Sequence, residues 1–329
     1  MRGRLIARSR SPWAILIVIA ISAPVMADEP SAKRFARFRG DDGEAFGLVE
    51  GDRIRQIDGD LFGTWKATDK LLPLSAVTLL APSPRPTQVL ALAGNYKSHL
   101  GAGDIVTTVT TTTKITTNPQ TGKSETESTS KVDTEKPGEI PTKFQMPQLF
   151  FKSPSSVIGT GDDIVIPRGT DDVHFEGELV IVIGKQAKNA DERKALECIL
   201  GVTCGNDVSA RDWQKNDVQW WRAKGCDTFG PIGPYIVSGI NYDDLRLVLR
   251  VNGKTMQDER TSQLIQNVPK IVSFVSSHIT LHPGDLIFTG TPGKTSAIQP
   301  GDKVEVEIEG IGTLTNSVVA ASPTAVRSK

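Results

Sequence analysis

Two carboxylates, Glu176 and Glu178, run directly into Leu179-Val180-Ile181-Val182-Ile183-Gly184. A continuous apolar run of that length predicts a strand covered on both faces. Residues two apart in a strand share a face, so both carboxylates are expected to point into one space, with Gly177 leaving the opposite side open. Like charges entering a buried body need a compensating cation, and hard divalent ions take carboxylate oxygens. A Glu-x-Glu pair at a strand start is otherwise a solvated edge, which sits poorly with the apolar residues that follow. Asp207, within Gly205-Asn206-Asp207-Val208-Ser209-Ala210-Arg211-Asp212, offers a third acid. His174, two residues before Glu176, is either a fourth ligand on that face or a flanking residue. His278 and His282 read as surface groups.

The chain of 329 residues carries 38 basic and 38 acidic side chains. This balance argues against a nucleic-acid binder, which needs a surplus of Lys and Arg. Thirty Gly, twenty Pro and 6% aromatic residues favour a loop-rich β or α+β body over a helical bundle. Arg2, Arg4, Arg8 and Arg10 precede an apolar run from Trp13 to Ala23, and small residues then lead to Ala27. That order predicts a cleavable secretory signal over residues 1–27, an exported product and no stable membrane span after cleavage. Cys198, Cys204 and Cys226 lack the paired spacing of a structural zinc site. They are expected to be buried thiols, with a single disulfide as the alternative.

Short alternating runs such as Arg34-Phe35-Ala36-Arg37-Phe38 and Arg53-Ile54-Arg55-Gln56-Ile57, separated by Gly and Asp, predict a small antiparallel β domain over residues 28–85. Pro82, Pro84 and Pro86 mark a linker. The main domain is expected over 86–322, followed by a tail at 323–329. Its strands are predicted at 179–184, 235–237, 245–251, 286–289 and 303–308, with helices at 189–200 and 265–277. A Thr-rich insert at 104–142 is either a polar β-hairpin, because Thr favours extended backbone, or a disordered low-complexity segment.

Several stretches, in order, resemble the fumarylacetoacetate hydrolase family. They are Ala93-Gly94-Asn95-Tyr96-Lys97-Ser98-His99, Phe151-Lys152-Ser153-Pro154, Phe175-Glu176-Gly177-Glu178-Leu179 and Asn206-Asp207-Val208-Ser209-Ala210-Arg211-Asp212-Trp213-Gln214. Lys224-Gly225-Cys226-Asp227-Thr228-Phe229-Gly230-Pro231, Val251-Asn252-Gly253 with Gln257, and Thr289-Gly290-Thr291-Pro292 complete the pattern. The resemblance implies an α+β, mostly β fold: a mixed β-sandwich or β-roll catalytic domain with a small N-terminal β domain, usually a homodimer. It also implies Mg²⁺ or Mn²⁺ on Glu176, Glu178 and Asp207, with Lys224 and His99 catalytic. Arg211, Gln214 and Thr291 match positions that contact substrate; the alternatives are an ion pair to Asp212 or Asp227 for Arg211 and turn capping for Thr291. The implied substrates are small 2-oxo or 2-hydroxy-dienoate carboxylates. Isomerisation, decarboxylation and C–C hydrolysis all occur in the family, and an exported binding protein that keeps the metal site without turnover is a further alternative.

Two departures bear on the reaction. Hydrolytic members and some decarboxylases of the family carry a Glu three residues after the histidine, where this chain has Ala102. The family's Gly-Val-Gly loop after the proline is replaced by Gly293-Lys294-Thr295. Both favour an isomerase, tautomerase or lyase-like activity that needs no activated water over a C–C hydrolase. A surviving acid–base dyad at His99 would need Asp104, Glu125, Glu127, Glu135 or Glu139.

Overall fold

The structure, a computed structural model, describes residues 32–100, 107–117, 119–134 and 140–322, with backbone alone at 107–110 and 131–134. The expected signal at 1–27 and tail at 323–329 lie outside the described residues, as do Asp104, Glu135 and Glu139.

A twelve-stranded open sheet organises the chain. Its path runs Trp65–Pro73, Arg53–Gly59, Gly43–Glu50, Lys33–Gly40, Gly230–Ser238, Ile199–Asn206, Gly177–Ile183, Leu286–Phe288, Val89–Ala93 and Gln148–Lys152. The N-terminal meander is thus continuous with the main sheet through the pair Lys33–Ser238. A second sheet of five strands, ordered Ile164–Ile166, Gly312–Ala320, Lys303–Ile308, Arg246–Val251 and Lys254–Arg260, packs against it.

Strand Gly177–Ile183 is buried along its whole length, as its composition predicts. Leu179, Ile181 and Ile183 face Leu247, Leu249, Val306 and Leu314 of the second sheet. Val180 and Val182 pack with Phe35, Ile232 and Phe288 on the other side. Each such side chain contributes on the order of 1.5–3 kcal/mol by leaving water.

The helix expected at 189–200 covers only Glu192–Cys198, capped by Asp191, whose carboxylate accepts from the Lys194 N–H at 2.8 Å. Ile199 is already extended and opens strand Ile199–Asn206, so ladder pairing to two neighbours overrides helical spacing there. The helix expected at 265–277 begins at Val268, because Asn267 accepts from the Lys270 N–H and caps it. It buries Val268, Ile271, Val272 and Val275.

The Thr-rich insert forms a hairpin, Thr107–Thr117 against Ser124–Thr134. Cross-strand hydroxyl pairs stitch it at Thr111–Ser130 (3.1 Å), Thr113–Ser128 (3.2 Å) and Thr117–Ser124 (2.9 Å). Its described side chains are all exposed. The three cysteines are free, and only Cys204 is buried, its thiol pushed up to about 12 by burial; Cys198 and Cys226 are half-buried, contrary to expectation. Among the described residues no helix is long and apolar enough to cross a membrane.

Candidate metal centre and active site

Strand register assembles the acids. Gly177 pairs with Asn206 across antiparallel neighbours, so Glu176 and Glu178 at the start of one strand meet Asp207 just beyond the end of the other. The Asp207 N–H donates to the Glu176 carbonyl at 2.8 Å, and Asn206 Oδ1 accepts from the Glu176 N–H at 2.8 Å. One carboxylate oxygen from each of Glu176, Glu178 and Asp207 lies within 4.8 Å of the others, and all three residues are buried. The space opposite them is not open, contrary to expectation. A Cβ on Gly177 would stand 3.0 Å from Leu249 Cδ1 and 3.1 Å from Gln257 Oε1, so glycine here permits close packing.

Three cations enter the same space. Lys224, on helix Trp221–Gly225, donates to Glu176 Oε2 at 2.5 Å and to Asp207 Oδ2 at 2.7 Å. Lys152, ending the edge strand, donates to Asp207 Oδ1 at 2.6 Å and to the Lys224 carbonyl. Arg211 donates through Nη2 to Glu176 Oε1 at 2.5 Å and to Thr295 Oγ1 at 2.8 Å, and through Nη1 to Gln214 Oε1 at 2.7 Å. Arg211 therefore pairs with the acidic centre rather than with Asp212 or Asp227.

These pairings set the charges. Burial would lift the Glu176 carboxyl, but Lys224, Arg211 and His99 outweigh it and hold the group well below the usual range. Glu178 is pushed well above its usual range by burial and by Asp207 and Glu176, although the Gly290 N–H donates to it at 2.6 Å. Gly290 has φ +100°, and a Cβ there would fall 2.7 Å from Asn95 Cβ, so only glycine brings that N–H to Glu178. Burial pulls the Lys152 ammonium down, with Asp207 opposing. For Lys224 burial also lowers, but Asp207 and Glu176 together prevail and raise it.

His99 stands at the rim, 26% exposed, with Nε2 4.0 Å from Glu176 Oε1. Its Nδ1 lies 2.7 Å from the Gly293 carbonyl oxygen. A carbonyl only accepts, so Nδ1 carries a proton, which leaves Nε2, on the side of Glu176, as the ring nitrogen that can gain or lose one. Thr291 is committed to the scaffold: its hydroxyl donates to the Gly177 carbonyl at 2.9 Å and accepts from Gln257 Nε2 at 2.9 Å. His174 does not join the acids; Nε2 is 2.8 Å from Asp172 Oδ1 and Nδ1 is 3.0 Å from Thr295 Oγ1. His278 and His282 are exposed.

Lys152 and Thr295 are site residues that the sequence reading gave no role. Lys152 lay in a recognised stretch, and its charge beside the apolar strand residues Leu149-Phe150-Phe151 was the available signal. The signal at Thr295 was only its place in the Gly293-Lys294-Thr295 departure, since its partners Arg211 and His174 are 84 and 121 residues away.

Three buried carboxylates brought this close are the donor chemistry of a hard divalent cation, and the residues present fit one. Fold and site together define a class, and comparison with known proteins agrees. Residues 89–319 match the fumarylacetoacetate (FAA) hydrolase C-terminal family and residues 33–82 the Rv2993c-like, N-terminal family. The chain belongs to the fumarylacetoacetate hydrolase family. It is 39% identical over 296 residues to Protein Rv2993c of Mycobacterium tuberculosis, covering 87% of this chain and 98% of that protein. It is 33% identical over 261 residues to the mitochondrial oxaloacetate tautomerase FAHD2A of Bos taurus, covering 76% and 72% respectively. The crystal structure of 2-hydroxyhepta-2,4-diene-1,7-dioate isomerase from Mycobacterium marinum superposes with a TM-score of 0.71 at 38% identity, over 88% of this chain and all of that one.

Proposed function

We propose that this protein is a divalent-metal-dependent enzyme, using Mg²⁺ or Mn²⁺, that enolises small 2-oxo or 2-hydroxy-dienoate carboxylates, of the isomerase or decarboxylase type. The observation that carries this reading is the pairing of a buried three-carboxylate cluster with a histidine held by a backbone carbonyl instead of an acid. A divalent ion on Glu176, Glu178 and Asp207 would act as a Lewis acid toward the carboxylate and adjacent carbonyl of the substrate. Lys224 keeps a fixed ammonium beside that position, where it stabilises negative charge developing on the carbonyl oxygen. Nε2 of His99 accepts the proton leaving C3 and returns it to carbon or oxygen, which is tautomerisation. Arg211, fixed by Glu176, Gln214 and Thr295, orients the substrate carboxylate.

A carboxylate partner would stabilise the imidazolium needed to activate water for C–C hydrolysis; the Gly293 carbonyl orients the ring without supplying that charge. The names of the relatives, a dienedioate isomerase and an oxaloacetate tautomerase, agree with enolisation. We further propose that the protein acts after export and cleavage at Ala27, as a homodimer. Deuterium incorporation at C3 of oxaloacetate or an acylpyruvate in D₂O, followed by NMR with and without Mn²⁺, tests the activity. Metal-independent exchange at the solvent rate would refute it.

A further inference from the structure

The rim of the site is built from two loops joined at one residue. Ser98 Oγ accepts from the Gly293 N–H at 3.0 Å, and His99 Nδ1 donates to the Gly293 carbonyl at 2.7 Å. Two residues later, the Thr295 hydroxyl accepts from Arg211 at 2.8 Å. Lys294 therefore sits between a residue holding the rim histidine and a residue holding the rim arginine. Lys97 flanks the same junction on the other loop.

Both lysines are exposed, and among the described residues neither forms an ion pair. The acids near them are already engaged: Glu176 and Asp207 with Lys224, Lys152 and Arg211, and Asp172 with His174. A Cβ on Gly293, at φ +60°, would meet no atom within 4 Å, so the tip of this loop borders open space. Inside the site three carboxylates face three cations, and a divalent ion would leave the whole positive. A monoanionic 2-oxo acid offsets only part of that charge, whereas a second anionic group reaching the rim would meet Lys294 and Lys97.

We propose that Lys294, assisted by Lys97, is the specificity-determining residue that selects 2-oxo acids bearing a second carboxylate distal to the reacting end. This rests on the enolisation reading above. Lys294 acts on binding of the distal group and takes no part in proton transfer.

The test is calorimetry on the Mn²⁺-loaded full chain with three probes: oxalate, pyruvate and 2-oxoglutarate. It uses the unsubstituted protein, Lys294→Gln and Lys97→Gln, each checked for an unchanged melting temperature. Lys294→Gln is expected to weaken 2-oxoglutarate about three- to five-fold, the range of one exposed charge pair, while leaving oxalate and pyruvate within about two-fold. The preference for diacid over monoacid should shrink as salt is raised. Unchanged 2-oxoglutarate affinity in both variants, with oxalate binding intact, would overturn the proposal and leave the enolisation reading standing. Failure of the unsubstituted protein to bind oxalate would overturn both.

Discussion

His99 donates through Nδ1 to the Gly293 carbonyl at 2.7 Å, and that bond decides what the imidazole can do. With a carbonyl, and among the described residues no carboxylate, bonded to Nδ1 of its histidine, the protein should exchange the C3 proton of 2-oxo acids faster than it cleaves their C–C bonds. General acid–base assistance is worth roughly 10²–10⁴-fold. His99→Ala is therefore expected to slow exchange by an amount in that range, because Nε2 is the group that accepts the C3 proton. Rapid acylpyruvate hydrolysis, lost in His99→Ala and followed by absorbance, would instead place a water-activating acid on the insert.

Glu178→Ala should abolish stoichiometric Mn²⁺ binding in calorimetry, and Glu176→Ala and Asp207→Ala should do likewise, since each removes a charged oxygen donor. In the unsubstituted protein, Mn²⁺ at about 100 times its Kd should add about 2.7 kcal/mol of stability, lost again with a chelator. A Glu178→Ala protein that still binds one Mn²⁺ would exclude this cluster as the centre.

Replacing Lys152 with Met leaves Asp207 with one cation in place of two, inside the protein. Breaking a buried pair costs about 3–5 kcal/mol when one partner is left uncompensated. Because Lys224 still holds Asp207, the expected loss is below that range, and Mn²⁺ should restore part of it. Urea denaturation with and without Mn²⁺ reads both effects.

Excising residues 107–134 and joining the ends with a short Gly-Ser linker should leave the melting temperature within about 2 °C, because the described side chains of the hairpin are exposed and bury no core. A fall of 10 °C in a thermal scan would show that the hairpin supports the body.

Export predicts a mature chain starting at Asp28. N-terminal sequencing of the protein from its native host checks this, and an intact Met1 would refute it.

The acidic centre was legible because its parts lie close in sequence or at a strand start: the apolar run after Glu178 announced burial, and the period-two rule placed both glutamates together. Lys152 escaped because its partner Asp207 is 55 residues away, a meeting that depends on sheet order. Gly177 was misjudged for a related reason, since Leu249 and Gln257 come from the second sheet. Strand Ile199–Asn206 was missed: helical spacing covered its first two residues and 201–206 carried no clear pattern, whereas ladder pairing from both sides makes the whole segment extended. The insert's alternatives separated on the cross-strand hydroxyl pairs, which single-strand composition does not encode.

The pairing of Lys33 with Ser238 sets an order of events for folding. The first sheet strand to leave the ribosome waits for a neighbour synthesised about two hundred residues later, and such non-local closure is slow. The meander can curl on itself early, and strand Thr78–Leu80 covers residues 37–39 on the outer edge of strand Lys33–Gly40, but residues 33–35 stay unpaired on that edge until strand Gly230–Ser238 arrives. A chain built this way stays unfinished until most of it has been made, and its sheet is sealed only at the end.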